Sequence, residues 1–298
     1  MSLTINTNMP ALNATRNLLR AQGSLGRSVQ RLSSGLRINS AADDAAGLGV
    51  RELMRAEIST MRQGSRNISD AISLIQTVDG ALGIIDEKLI RMNELAVQAA
   101  TGSYTSDQRM MIESEYQAMA REITRIARAT RFNGRRMLDP LEPVEGRHDG
   151  TGLDSTGAIK VHFGTANSSA EDYYYIEIGG ATSGTLGVGP NTDPANRAYT
   201  ISTQAAAQNA LEGIKDAIIS KDKIRAHLGA IQNRLENTLS NIQIQTENLQ
   251  AAESRISDAD VSREMTRFVR NQILTQAAVA MLSQANSLPS AALRLIAG

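Results

Sequence analysis

Residues 68–100 read ISDAISLIQTVDGALGIIDEKLIRMNELAVQAA, with apolar side chains at Ile68, Ile72, Ile75, Val78, Leu82, Ile85, Leu89, Met92, Ala96 and Ala99. Spacings of three and four alternate almost strictly, which is the period of one helical face and narrow enough for a coiled-coil-like seam. The six prolines stand at 10, 140, 143, 190, 194 and 289, so residues 11–139 and 195–288 contain none and long helices are free to run there. A helix over 45–100, about 55 residues at 1.5 Å rise, would reach roughly 80 Å. An elongated molecule is expected. Gly64, Gly80 and Gly83 each cost such a helix about 1 kcal/mol relative to Ala, so packing must hold it, and Gly102 supplies a stop.

The rest of both spans repeats the pattern. Ile112, Tyr116, Met119, Ile123 and Ile126 form one face of a helix from about Ser106 to the turn Phe132-Asn133-Gly134. In the C-terminal half Ile224, Leu228, Ile231, Leu235, Thr238, Ile242, Gln245, Leu249, Ala252 and Ile256 form a partner stripe, interrupted by the polar Thr238 and Gln245. Only nine aromatic residues exist, and Phe163, Tyr173, Tyr174, Tyr175 and Tyr199 lie mid-chain, so the helical parts must pack through aliphatic seams. The middle has another texture: residues 134–189 hold 11 of the 23 glycines, Ile159, Val161 and Phe163 alternate, and Tyr173–Ile178 is β-prone, which predicts a small hairpin region and turns.

The outermost segments are free of acid over long stretches. Residues 1–40 carry Arg16, Arg20, Arg27, Arg31 and Arg37 and no Asp or Glu, with an apolar stripe at Leu18, Leu25, Val29, Leu32 and Leu36. After Glu264 no acid follows, while Phe268, Ile273, Leu274, Ala277, Ala278, Met281 and Leu282 form a second stripe. Similar punctuation sets both apart: Arg37-Ile38-Asn39-Ser40 precedes Asp43-Asp44, and Arg255-Ile256-Ser257-Asp258 precedes Asp260, so a Ser or Asp is placed to cap a new helix. Terminal helices over about 10–36 and 259–285 are predicted as a pair, joined to an inner bundle.

Composition limits the function classes. With 31 basic and 31 acidic side chains, bulk charge gives no argument for nucleic acid, and without cysteine there is no disulfide, thiolate zinc site or cysteine nucleophile. The first ten residues lack a signal-peptide pattern, and no 18-residue run is wholly apolar. Only His148, His162 and His227 occur, with no His-Glu-x-x-His, and the glycines at 179, 180, 184, 187 and 189 lack a following Lys and helix. No catalytic, cofactor-binding or metal site is expected.

The run Arg31-Leu32-Ser33-Ser34-Gly35-Leu36-Arg37-Ile38-Asn39-Ser40-Ala41-Ala42-Asp43-Asp44-Ala45-Ala46-Gly47-Leu48 resembles the N-terminal signature of bacterial flagellins. Glu94-Leu95-Ala96-Val97-Gln98, Arg131-Phe132-Asn133-Gly134, Glu253-Ser254-Arg255-Ile256-Ser257-Asp258-Ala259-Asp260 and Gln284-Ala285-Asn286-Ser287-Leu288-Pro289 extend the likeness to about residues 1–134 and 199–298. The resemblance implies a mainly α fold: an elongated, coiled-coil-like helical bundle formed from both chain ends, with a small β-hairpin region in the middle. It assigns residues 1–42 and 256–298 to the terminal helix pair of an inner filament core. Residues 43–180 and 199–255 become a bundle with a β-hairpin region in the outer core shell, and 181–198 a short surface loop in place of the variable domain.

The implied function is that of a structural subunit of the flagellar filament, a homo-oligomer that self-assembles into a helical tube and serves motility. Leu18, Leu25, Val29, Leu32, Leu36, Phe268, Ile273, Leu274, Met281 and Leu282 are the expected assembly residues. Too short of apolar surface to be stable alone, they should fold when neighbours offer partner stripes. The same likeness implies type III export, an export chaperone at the C-terminal segment, junction and cap proteins as partners, and recognition by Toll-like receptor 5 through Arg91, Leu95 and Glu115. It implies no membrane insertion. Glu87 and Arg91 read more simply as a solvated i,i+4 pair. Ser168, Ser169, Thr182, Ser183 and Thr185 lie where flagellins are often O-glycosylated. Alternatives are a hook–filament junction protein, which typically departs from this sequence at Ala41–Gly47, and a secreted helical adhesin or binding module. An Arg-rich amphipathic N-terminus also resembles a transit peptide or membrane-surface helix, against which stands its C-terminal counterpart.

Overall fold

The structure, a computed structural model, describes residues 8–139, 159–168, 171–189 and 200–297, with side chains up to residue 287. Its elements are α1 Met9–Ser34, α2 Ala45–Ala100, α3 Ser106–Ala129, β1 Arg131–Phe132, β2 Arg135–Arg136, β3 Ile159–His162, β4 Tyr173–Ile176, α4 Gln204–Ser257 and α5 Val261–Ala297. The chain divides into two compact units, Met1–Ile58 with Glu247–Gly298, and Ser59–Thr246. The division falls inside α2 and α4, whereas the sequence punctuation placed it near residues 42 and 256.

Local signals fix the element ends. Asn8 caps α1 by accepting from the Ala11 amide, and Gly35 closes that helix at φ 71°, a left-handed conformation glycine adopts without strain. Asp44 accepts from the Gly47 amide at 2.9 Å to start α2, and Asp260 accepts from the Arg263 amide at 3.0 Å to start α5. Thr105 and Gln108 form a reciprocal capping box on α3. That helix stops at Ala129, and Asn133 and Gly134, at φ 49° and 80°, turn the chain into the β1–β2 hairpin. A bare turn was expected there. α5 continues through position 289 to Ala297, past the expected end near 285, because proline removes one helical hydrogen bond without necessarily ending the helix.

In the inner unit the α2 stripe is the core. Ile68, Ile75, Val78, Leu82, Ile85, Leu89, Met92, Ala96 and Ala99 are buried, together with Tyr116, Ile123 and Ala127 of α3 and Leu228, Leu235 and Ile242 of α4. Cross-links between α2 and α4 at Met61–Thr246, Asp79–Arg225 and Asp86–Lys221 run in opposite chain directions, so the two helices are antiparallel. The same holds for α2 and α3, joined by Arg109 to the Ala99 carbonyl and by Arg91 to Glu115. α2 contains an 18-residue window of mean hydropathy 1.4, long and apolar enough for a membrane span by composition alone, but its apolar face is the one this core uses.

The α4 stripe begins earlier than the sequence reading placed it, with Ala207, Ala210, Ile214 and Ala217 buried. The next stripe position is Lys221, only 2 % exposed, with its ammonium between Asp86 and Asp222. Two carboxylates keep that charge paired where apolar residues surround it.

The expected small hairpin region contains the antiparallel β3–β4 hairpin, which pairs Ile159 with Ile176 and His162 with Tyr173. It lies so close to α2 that a Cβ at Gly64 would collide with the Phe163 carbonyl, which gives that helical glycine its reason. Gly80 and Gly83 have open space around them. The expected surface loop 181–198 needs correction in its first half. Ala181, Thr182, Ser183, Leu186 and Val188 are buried, and Ala181 donates to the Leu138 carbonyl, because these small and aliphatic side chains complete the hairpin's contribution to the core. The remainder of that loop lies outside the described residues.

Candidate functional site

The terminal helices pack antiparallel, with the Asn8 side chain donating to the Ala285 carbonyl at 2.8 Å and Asn271 to the Ser28 hydroxyl at 3.4 Å. Among the residues whose side chains are described, what this pair buries is small or polar: Ser28, Ala285 and Glu264, the last between Arg31 and Arg267. Of the expected stripes, Leu18, Leu25, Leu32, Leu36, Phe268 and Leu282 are half-buried along the seam. Val29, Ile273, Leu274 and Met281 face outward, Ile273 with 59 % and Met281 with 64 % of its surface exposed. Alanines at 14, 21, 277 and 278 leave a groove of about 580 Å³, edged by Leu274 and Met281. Two outward leucines that the stripe reading omitted, Leu12 and Leu19, are 57 % and 63 % exposed. They lie at i and i+7, a spacing that could have revealed them.

The two joints meet, as their matching punctuation suggested. Leu36 and Asp258 form an antiparallel bridge, the Arg37 amide donates to the Ser257 carbonyl at 2.7 Å, and the Ala259 amide donates to Gly35 at 2.9 Å. Arg51 reaches from the first turns of α2 to the Ile38 carbonyl at 2.8 Å and is itself buried, which ties α2 to the joint. Asp43 accepts from the amides of Asn39 and Ser40. The Asn39 bond is the first cause of a carboxyl held below the ordinary range, and the Arg31 guanidinium nearby adds to it. The Ser257 hydroxyl is buried without a hydrogen-bond partner.

On the inner unit, Arg91 does not pair with Glu87. Its guanidinium donates twice to Glu115 across to α3, at 3.0 and 2.8 Å, and once to Glu94 at 2.8 Å. These bonds, to Glu94 first, raise its pKa further above the ordinary arginine value. Arg91 and Glu115 are thus presented to solvent together. Leu95 is not with them: it is 1 % exposed, and the expectation that it meets a receptor is corrected, because its place after Met92 puts it on the core-facing stripe. Among the expected modification positions, Thr182 and Ser183 are buried, bonded to Thr185 and Thr124 respectively, and do not offer free hydroxyls. Ser168 is exposed, and Ser169 lies outside the described residues. The His162 ring is bonded to the Asp172 carbonyl, and among the described residues no group of three or more His, Asp or Glu side chains is placed to hold a metal. His148 lies outside them.

A chain whose two ends build an apolar-faced helix pair and whose inner segments close an aliphatic bundle belongs to the class of helical structural proteins. Residues 5–141 match the family model described as the bacterial flagellin N-terminal helical region, and residues 211–296 match that of the C-terminal helical region. The chain belongs to the bacterial flagellin family. It is 40 % identical to a flagellin of Halalkalibacterium halodurans over 98 % of this chain and 99 % of that one. It is 38 % identical to flagellin FlaB1 of Treponema pallidum over 95 % and 96 %, and 38 % identical to a flagellin of Bacillus subtilis over 98 % and 99 %. These relatives align nearly end to end, so none carries a large extra middle domain. A Vibrio parahaemolyticus protein described as flagellar hook-associated shares the fold at TM-score 0.55 and 14 % identity, over 72 % of this chain and all of that one.

Proposed function

We propose that this protein is the structural subunit of an extracellular flagellar filament and that its terminal helix pair is the part neighbouring subunits cover. The single observation behind the assignment of roles within the chain is the outward apolar surface on α1 and α5, from Leu12 and Leu19 to Ile273, Leu274 and Met281. One helix pair cannot bury that surface by itself. Repeated copies do so through a heterologous contact that does not close, and such a contact generates a helical filament. Ordering the ends at the moment of capture couples folding to assembly and restricts growth to filament tips.

In this reading residues 1–42 and 256–298 act as the conditional layer and residues 43–180 with 199–255 as the stable one. The subunit leaves the cell through the flagellar type III route, its C-terminal segment held by an export chaperone, and meets junction and cap proteins at the filament ends. The exposed Arg91–Glu115 pair is a subunit contact and the part of the Toll-like receptor 5 surface that this chain retains.

Deletion of residues 1–20 tests the assembly role. Seeded filament growth should stop while the thermal transition of the inner bundle stays in place; filaments of normal length from the truncated subunit would overturn it. Amide exchange on the dissociated subunit should be fast at both ends and slow across α2 and α4. Protected ends would favour a monomeric binding module instead.

A further inference from the structure

Two positions of the α4 stripe, Thr238 and Gln245, are polar where the period calls for an apolar residue. Both line a cavity of about 410 Å³ within the inner unit, between α4 and the β3–β4 hairpin. Asn241 stands between them, so the three share one side of the helix at spacings of three and four. A polar residue that only fixed the register of a helical seam would be packed against the partner helix. Gln245 is instead exposed and Thr238 half-buried, both at the cavity. Met61, Phe163 and Ile242 make the apolar part of its wall, and Thr165 and Glu171 line it from the hairpin loop.

These walls are tied together. The Asn67 side chain of α2 donates to the His162 carbonyl at 2.7 Å, Arg234 of α4 stacks on the Tyr174 ring at 3.6 Å, and Phe163 meets that ring at 4.8 Å. The loop after β3 is folded on Asp172, whose buried carboxylate accepts from the amides of Ala166 and Ser168. At Gly164 a Cβ would strike that carboxylate, so the loop has one close-packed path. A cavity braced in this way is preformed, as small-molecule sites generally are.

Its polar groups fit one class of ligand. Gln245 donates to the Asn241 side-chain carbonyl at 3.2 Å, which leaves the Asn241 amide hydrogens as donors and the Gln245 carbonyl as an acceptor. Thr238 donates to the Arg234 carbonyl at 2.9 Å and keeps its lone pairs. The charges in the wall are the carboxylates of Glu171 and Asp172, and the Arg234 guanidinium is stacked on Tyr174, so an anion is disfavoured. An uncharged acetamido sugar offers an amide N–H and C=O to Asn241 and Gln245, a methyl to Met61 and Ile242, and hydroxyls to Thr165, Thr238 and Glu171. We propose that this cavity binds a neutral N-acetylated sugar ring. The inference goes beyond the filament role and does not rest on it.

The test titrates full-length dissociated subunit with N-acetylglucosamine and follows the side-chain amides of Asn241 and Gln245 by heteronuclear NMR. Both should shift and saturate with a dissociation constant on the order of a millimolar, while glucose should bind at least about fivefold more weakly and glucuronic acid should shift neither. Asn241→Ala with Gln245→Ala should weaken binding about tenfold or more, read by saturation transfer from protein to sugar. Thr238→Leu fills the cavity and restores the apolar stripe, so it should abolish binding while the thermal transition of the inner unit holds or rises. No shift with N-acetylglucosamine, glucose or glucuronic acid bound as well as it, or a folded Thr238→Leu variant that still binds overturns the proposal. Seeded filament growth is read on the same variants in sugar-free buffer. Growth lost from a folded double Ala variant whose sugar binding is unchanged assigns the cavity to a neighbouring copy and also overturns the proposal, whereas lost sugar binding with normal growth supports it and leaves the filament role standing. The β-linked trimer of the same sugar then separates the sources: tighter binding than the monomer assigns the end of a glycan chain, and equal binding a free sugar.

Discussion

The inner unit and the terminal helix pair are written in the same three-four code and end in opposite states. Along α2 the coded positions Val78, Leu82, Ile85, Leu89 and Met92 have no exposed surface at all. Along α1 and α5 the coded positions are half-buried at best, and Val29, Ile273, Leu274 and Met281 stand in solvent. The inner stripe meets two partner helices and a hairpin, the outer one a single helix lined with alanines and serines. An apolar stripe therefore reports that a partner is needed, and the number of partners supplied within the chain decides whether the need is met.

The widest gap should appear between substitutions at matched positions. Leu82→Ala should destabilise the inner unit by about 2–5 kcal/mol in urea denaturation, while Ile273→Ala should change the free subunit by no more than about 0.5 kcal/mol and still impair seeded filament growth. Equal effects on the free subunit would erase the distinction between the regions.

A smaller contrast lies within α2. Gly64→Ala forces a methyl against the Phe163 carbonyl and should cost about 2 kcal/mol, whereas Gly80→Ala, with open space around it, should gain up to about 1 kcal/mol from helix propensity. If both stabilise, the hairpin does not press on the helix as closely as described. Lys221→Ala leaves Asp86, part of whose surface meets solvent, without its buried partner and should cost about 2 kcal/mol. The double variant Lys221→Met, Asp86→Leu should recover most of that loss. A double variant as unstable as the single one would mean that the ion pair itself supplies the stability.

The smallest effect belongs to the joint. The Asp43 carboxyl is depressed in the folded state by the Asn39 and Ser40 hydrogen bonds, so it titrates below its unfolded value of about 3.9. Its contribution is fully present above that unfolded value and disappears as pH falls through the lower folded value. Amide protection at residues 36–45, taken relative to the intrinsic exchange rate at each pH, should therefore fall below about pH 4 in the wild type. Asp43→Asn should show lower protection at neutral pH and little further loss of protection on acidification. Identical pH profiles for the two proteins would remove Asp43 from the joint's stability.

How much of this was legible follows from how local each signal is. The helices, their caps at Asp44 and Asp260, the presence of strand segments around Ile159–Phe163 and Tyr173–Ile178, and the meeting of the two joints rest on spacing and side-chain type, and these appear directly in the sequence. Leu95 shows the limit: family likeness suggests an exposed contact, and only the packing of α2 against α3 reveals that it points inward. The residues at 181–189 looked like loop because glycine, serine and threonine dominate them, yet Ala181, Leu186 and Val188 are core. Lys221 sits in the stripe where a sequence reader expects an apolar residue, and its role depends on Asp86, distant in the chain and adjacent in space. Arg91 likewise chooses Glu115 of another helix over Glu87 of its own.

Sequence alone determined that this protein is built from long helices, that its two ends match, and which family it resembles, because periodicity, capping and motif are properties of neighbouring residues. The tertiary structure decided which stripes are closed and which stay open, and which charges are paired across helices. Those outcomes depend on which surfaces meet, and burial is set by the partner as much as by the residue itself.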